Sequence, residues 1–308
     1  MKPALGIAAA LALLNSSATM AQQVPDLDYN PPIADPAYAP SEGPRIGIDE
    51  GHHNFHTAEG RYSAFARLLR RDGYVVESHP GKIRTSTLDR IDILVIANPI
   101  HGRNDKNWVL PTPSAYTKDE IEAIHAWVDS GGALFLIADH MPFPGGAGKL
   151  ANAFGIQFSN GFAYPSEKQR GKADRFQLGS GLKRNALTRG RNASEAVSEV
   201  ATFTGSAFKV PEEAIPILMF GPGSYSLEPE KAWDFKESTK RVSIEGWCQG
   251  AYLKVGAGRL VVFGEAAMFT AQRAGAAGRP MGMSRPEAAQ NHQLLLNTVH
   301  WLSGLIDP

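Results

Sequence analysis

Four short apolar runs, separated by amphipathic stretches, constrain this chain most. RIGID (45–49), YVVES (74–78), DILVIAN (92–98) and ALFLIADH (133–140) each have the length of a strand. RYSAFARLLRRD (61–72) carries Tyr62, Phe65, Leu68 and Leu69 at helical spacing and stops at Gly73. TKDEIEAIHAWVDSGG (117–132) opens with Thr117 and Glu120 as a capping box. It turns Ile121, Ile124, Trp127 and Val128 to one face and ends at Gly131. Strands alternating with helices predict parallel βαβ units. Runs that are apolar throughout predict a sheet covered on both faces. The predicted fold class is α/β: a doubly wound, mostly parallel, flavodoxin-like sheet with a β-rich C-terminal extension.

The rest of the chain fits around that core. Residues 1–21 have an early lysine, an apolar run from Ala4 to Leu14 and small residues up to Ala21, the layout of a signal peptide cleaved after Ala21. The apolar run is too short to span a bilayer, and no later segment approaches transmembrane length, so no membrane span is expected after cleavage. A periplasmic or secreted protein is predicted. Cys248 is the only cysteine, so stability must come from packing without an internal disulfide. Residues 22–44 hold six prolines and read as a linker or strap, whose Tyr29, Ile33 and Tyr38 can pack down. Residues 45–308 form the α/β domain, with a β-rich insertion at 157–250, and 286–302 form a closing helix. Lys+Arg and Asp+Glu both number 31, which leaves no basic excess for nucleic acid.

In an open parallel sheet, ligands bind beyond the carboxyl ends of the strands. Asp49, Glu50, His52, His53, Asn54 and His56 follow the first strand, Asn98 and His101 the third, and Asp139 and His140 the fourth. Glu265 follows the late run RLVVFG. Imidazoles and carboxylates are ligands for divalent metals, zinc above all. The expected metal set is Asp49, His52, His56, Asp139 and His140. A metal-bound water would attack a carbonyl or phosphoryl centre, with Glu50, His101 and Asp139 as catalytic groups. His53, Asn98 and Glu265 would bind a small polar substrate. A metal-free hydrogen-bond network around a ligand explains the same residues. Gly145, Gly146 and Gly148 precede a helical run and read as a tight turn, with anion binding as the alternative. No GxSxG elbow occurs, and Cys248 reads as buried and structural.

The order DEGHHN, DILVIANP, SGGALFLIADH, then GAGRLVVFGEAAMF and QNHQLLLNTVHWL resembles the class I glutamine amidotransferase-like superfamily over residues 45–156 and 250–303. It is most similar to the non-amidotransferase branches: the trehalose-utilisation-protein-like family and the gliding-motility and intraflagellar-transport-type domains. The resemblance implies that His140 is the histidine after a Gly-Gly strand, and that Asp49 and His52 match an acid-acid-x-His pattern. The nucleophilic cysteine is missing from its elbow, so glutaminase activity is not implied. The leading expectation is an exported metal-assisted hydrolase of a small polar or sugar-derived substrate. The alternatives are a non-catalytic ligand-binding or assembly module of the cell envelope, and a metal-free lyase or isomerase using a histidine base.

Overall fold

The structure, a computed structural model, describes residues 23–167 and 172–307. The predicted signal segment lies outside the described residues. Five parallel strands form one half of the main sheet: β1 (Arg45–Asp49), β2 (Val75–His79), β3 (Ile93–Ala97), β4 (Ala133–Ile137) and, late in the chain, Gly258–Phe263. In space the early four run β2-β1-β3-β4, with Gly258–Phe263 beside β4. All five residues of β3 are buried, because helices cover both faces. Ile93, Val95 and Ala97 enter one core with α1 (Ser63–Arg71) and the terminal helix, whereas Leu94 and Ile96 enter the other. There they meet α2 (Lys118–Asp129) and α3 (Phe143–Ala153). Each such buried aliphatic side chain stabilises the fold by about 1.5–3 kcal/mol.

The segment 157–250 serves two purposes. Ile215–Met219 and Cys248–Val255 extend the main sheet with antiparallel pairing. Phe162–Tyr164, Tyr225–Glu228 and Lys240–Ser243 form a separate three-stranded antiparallel sheet. Cys248 lies at the start of its strand, 1% exposed, and burial pushes its thiol up to about 12. The strap is laid against the domain. Gln23–Pro25 pairs with Ala271–Ala274, Tyr38 packs edge-on against Tyr74, and the Ala37 N–H donates to Asp72 at 2.8 Å.

Three local expectations need correction. The closing helix (Asn291–Leu302) starts later than expected, and Pro286–Ala288 is a separate 3-10 turn. The fourth strand ends at Ile137, which leaves Asp139 and His140 in the loop beyond it. Gly145, Gly146 and Gly148 lie inside α3 rather than before it. At two of them the role is space: a Cβ on Gly146 would stand 2.3 Å from the Pro99 carbonyl oxygen, and one on Gly145 would stand 2.0 Å from Thr112 Oγ1, whereas one on Gly148 would meet nothing. Gly145 and Gly146 let α3 press against the loop after β3. Gly146→Ala is expected to lower unfolding stability by about 1–3 kcal/mol through overpacking. Urea denaturation checks this, and an unchanged midpoint would remove the packing argument.

Candidate functional site

The predicted rim residues divide into two clusters and three outliers. The first cluster surrounds Asp49, which is fully buried at the end of β1. Its carboxylate accepts from the Gly51 N–H at 3.1 Å, from Asn54 Nδ2 at 3.1 Å and from the Tyr116 hydroxyl at 2.6 Å. His52 Nδ1 lies 2.9 Å from the same carboxylate, and His52 Nε2 lies 3.1 Å from Glu120 Oε1. Glu120 is the capping-box acid of α2, and its other oxygen accepts from the Thr117 N–H and hydroxyl. His52 is therefore clamped between two carboxylates. Burial opposes its charge, but Asp49 and Glu120 outweigh burial and raise its pKa above the ordinary 6.5. Burial also opposes charge on Glu120, yet the Thr117 and His52 hydrogen bonds hold its pKa below the usual value. This cluster fixes the loop after β1. With both ring nitrogens of His52 engaged, neither it nor Asp49 is turned toward a metal.

The second cluster joins the loops after β1, β3, β4 and Gly258–Phe263. Asn98 is its centre. Asn98 Oδ1 accepts the Asp139 N–H at 2.8 Å, and Asn98 Nδ2 lies 3.2 Å from His56 Nδ1. Because the amide oxygen is committed to a donor, the amide nitrogen faces His56 and donates. His56 Nδ1 is then the acceptor, and the neutral ring carries its proton on Nε2. Complete burial, followed by the charges of Arg61 and His140, lowers the His56 pKa to about 3. His140 has the opposite arrangement: Nδ1 lies 2.7 Å from the Met141 carbonyl oxygen, to which it donates. The Nε2 atom of His140 stands 4.0 Å from Asp139 Oδ1. Asp139 is held by the His140 N–H at 2.7 Å and the Ala266 N–H at 3.3 Å. Behind it, Glu265 is fully buried and accepts the N–H groups of Ala267 and Met268. Burial, then the Asp139 charge, pushes the Glu265 carboxyl well above the usual carboxylate range.

Glu50, His53 and His101 do not join either cluster. Glu50 Oε1 accepts from the Ala58 N–H and the Ser78 hydroxyl, which closes the 50–58 loop. His101 is exposed and caps a 3-10 turn by accepting the Arg103 N–H. His53 is exposed, with Nδ1 4.0 Å from Asp105. None of the three stands with the clustered residues: Glu50 is held between its own loop and β2, His53 faces the loop after β3, and His101 caps its own turn. The five-residue metal set is likewise divided between the two clusters. Among the described residues, no three His, Cys, Asp or Glu donors gather to hold an ion.

Aromatic side chains enclose the second cluster, and the sequence reading missed them. His140 stacks on Phe162 at 4.5 Å between ring centroids and meets Trp233 edge-on at 4.7 Å. Trp108 lies 6.0 Å from His140 and 5.4 Å from Phe55. Trp233 is 47% exposed and takes a positive φ of 67°, rare for a bulky residue. Its loop is pinned to the loop after β3 by the Ala232 N–H, which donates to the Trp108 carbonyl oxygen at 2.9 Å. The one signal in the sequence was a tryptophan within each of two polar loops, NDKNWVLP and EKAWDFKE.

The architecture is that of an α/β protein with a large, mostly parallel sheet and antiparallel additions. Its likeness to solved structures is one of fold. The N-terminal domain of mmIFT52 superposes with a TM-score of 0.58 at 15% identity, covering 84% of this chain and 97% of that one. A thua-like protein from Bacteroides uniformis gives 0.49 at 13% identity, covering 86% and 93%. Another from Parabacteroides merdae gives 0.47 at 10% identity, covering 85% and 91%. The resemblance to the intraflagellar-transport-type domains is therefore borne out as a fold. No protein-family model matches the chain. No curated protein matches it either. No helix among the described residues is long and apolar enough to cross a membrane.

The clamp on His52 gives a pH dependence with a definite sign. Its folded pKa is raised, so its contribution is complete below the ordinary 6.5 and is lost as pH rises through the folded value. His52→Gln is expected to destabilise the protein by roughly 2–3 kcal/mol near about pH 6. The gap from the native chain is expected to narrow toward higher pH. Denaturation curves across that range check it, and a gap that widens with pH contradicts the clamp.

Proposed function

We propose that the protein is an exported hydrolase of a small polar substrate, with Asp139 and His140 as its working pair. One observation carries this reading: Asp139 Oδ1 and His140 Nε2 stand 4.0 Å apart while the other ring nitrogen is committed to a carbonyl. Two acceptors at that separation suit one water that donates a proton to each, with its oxygen about 2.8 Å from both. His140 Nε2 takes a proton from this water as its oxygen bonds to a carbonyl or phosphoryl centre. The same proton then passes to the leaving group as the bond to that group breaks. Asp139 stabilises the transient imidazolium. The neutral His56, with its proton on Nε2, can donate to the oxygen that gains negative charge.

The location supports the reading. With the order β2-β1-β3-β4, strand order reverses between β1 and β3, and flavodoxin-like sheets bind ligands at such a reversal. The Asn98–His56 bond crosses that crevice. The residues do not fit the expected zinc set, because Asp49 and His52 are committed to each other, so no step is routed through a metal. Export rests on the sequence of residues 1–21.

A second reading, a ligand-binding or assembly module of the cell envelope, is favoured by low exposure: the His140 and Asp139 side chains are 12% and 10% accessible. A screen of esters, phosphoesters and glycosides separates the two. Turnover is expected, with His140→Gln and Asp139→Asn each lowering kcat by about 100-fold or more while the melting temperature is kept. Absence of turnover, or turnover indifferent to both changes, favours the binding module.

A further inference from the structure

Arg61 is the unexplained charge beside this site. It is only partly exposed, and its Nε is buried with no hydrogen-bond partner. Its guanidinium carbon stands over the Phe55 ring, 3.8 Å from the centroid. No carboxylate of the described residues stands within ion-pair distance of it. Elsewhere the partly buried arginines have acceptors: Arg191 has Glu195, Arg259 has Asp307, Arg285 has Glu287 and Arg67 has the Asp26 and Tyr29 carbonyl oxygens. An arginine held by stacking and left without an acceptor has its donor fork ready for an external oxyanion.

The surroundings connect that fork to the working pair. Phe55 contacts Trp108, and Trp108 contacts His140. Phe143 lies against all three rings, 5.5 Å from Phe55, 5.2 Å from Trp108 and 5.9 Å from His140. The charge of Arg61 also reaches His56, where it helps keep the imidazole neutral. One apolar wall thus runs from the guanidinium to His140 Nε2.

We infer that Arg61 is the specificity-determining residue of this site, and that the ligand carries an oxyanion, carboxylate or phosphate, on one end of a flat apolar or ring-shaped body. This rests on the proposed site at Asp139 and His140 for its location, though it concerns binding alone. The anion docks on the terminal nitrogens of Arg61. The ring lies along Trp108, which Phe143 backs from the core, and its far end reaches His140. A carboxylate suits the planar fork with two parallel hydrogen bonds, whereas a phosphate needs chiefly the charge.

The test compares three probes of one shape on the mature chain: benzoate, phenyl phosphate and neutral benzyl alcohol, followed by tryptophan fluorescence and calorimetry. The anions are expected to bind at least about tenfold tighter than the alcohol. Arg61→Gln is expected to remove that preference with the melting temperature retained. Arg61→Lys separates the two anion sources: it keeps phenyl phosphate and loses benzoate if phosphate is the natural group, and weakens both if the fork itself is read. Equal binding of all three probes, no binding of any, or an anion preference that survives Arg61→Gln overturns the inference. His140→Gln is expected to keep anion binding. A protein that binds the anions through Arg61 but turns nothing over would refute hydrolysis and leave this subsite standing.

Discussion

Both ends of the Asn98 amide are in use, and the site depends on that double commitment. Its oxygen holds the Asp139 backbone, and its nitrogen holds His56. The residue also takes a positive φ of 50° directly after β3. An asparagine tolerates that conformation better than most side chains, because its short amide can bond locally. Three separate strand ends are thereby brought into one register. An aspartate in its place would put a second carboxylate beside Asp139, and a leucine would leave His56 Nδ1 buried without a donor. The neutral state of His56, the direction of its remaining proton and the position of Asp139 all follow from one side chain.

Burial then assigns charge states that solution chemistry would not. Two carboxylates with little access to water cannot both ionise without large cost, so Glu265 is pushed toward the neutral form while Asp139 faces the rim. The opposite outcome occurs in the loop after β1. His52 is also buried, but two carboxylates flank it and its pKa rises. His52 and His56 stand four residues apart in one loop, and their partners give them opposite tendencies. One becomes a fastener and the other a donor.

The β-rich segment gives the site its walls. Phe162 and Trp233 come from residues that no early strand or helix predicts, and they close on His140 together with Trp108. A small antiparallel sheet carries Phe162, and backbone bonds to the loop after β3 hold the Trp233 turn. Phe162 covers one face of the His140 ring, while Trp233 stays half in solvent. Such an arrangement strengthens electrostatic interactions within it.

Much of the parallel half was legible in the sequence. Ile93–Ala97 and Ala133–Ile137 are apolar throughout, and only a sheet covered on both faces can bury such runs. Thr117 and Glu120 marked the start of α2 correctly, since a capping box is a local hydrogen-bond pattern. Asn98, Asp139, His140, His56 and Glu265 were recognisable as rim residues because strand ends locate the rim. Their grouping was not legible: Asp49 and His52 look like equal members of the cluster in sequence, yet Tyr116 and Glu120 draw them away across 67 and 68 residues. Arg61 carried no signal at all, because a lone arginine before a helix acquires meaning only from the absence of an acceptor around it. Periodicity and capping act between near neighbours, so the sequence alone determined the strands, helices and rim. Hydrogen-bond partners and burial arise between distant segments, so only the tertiary structure decided which imidazole is clamped, which is neutral and which turns Nε2 toward Asp139.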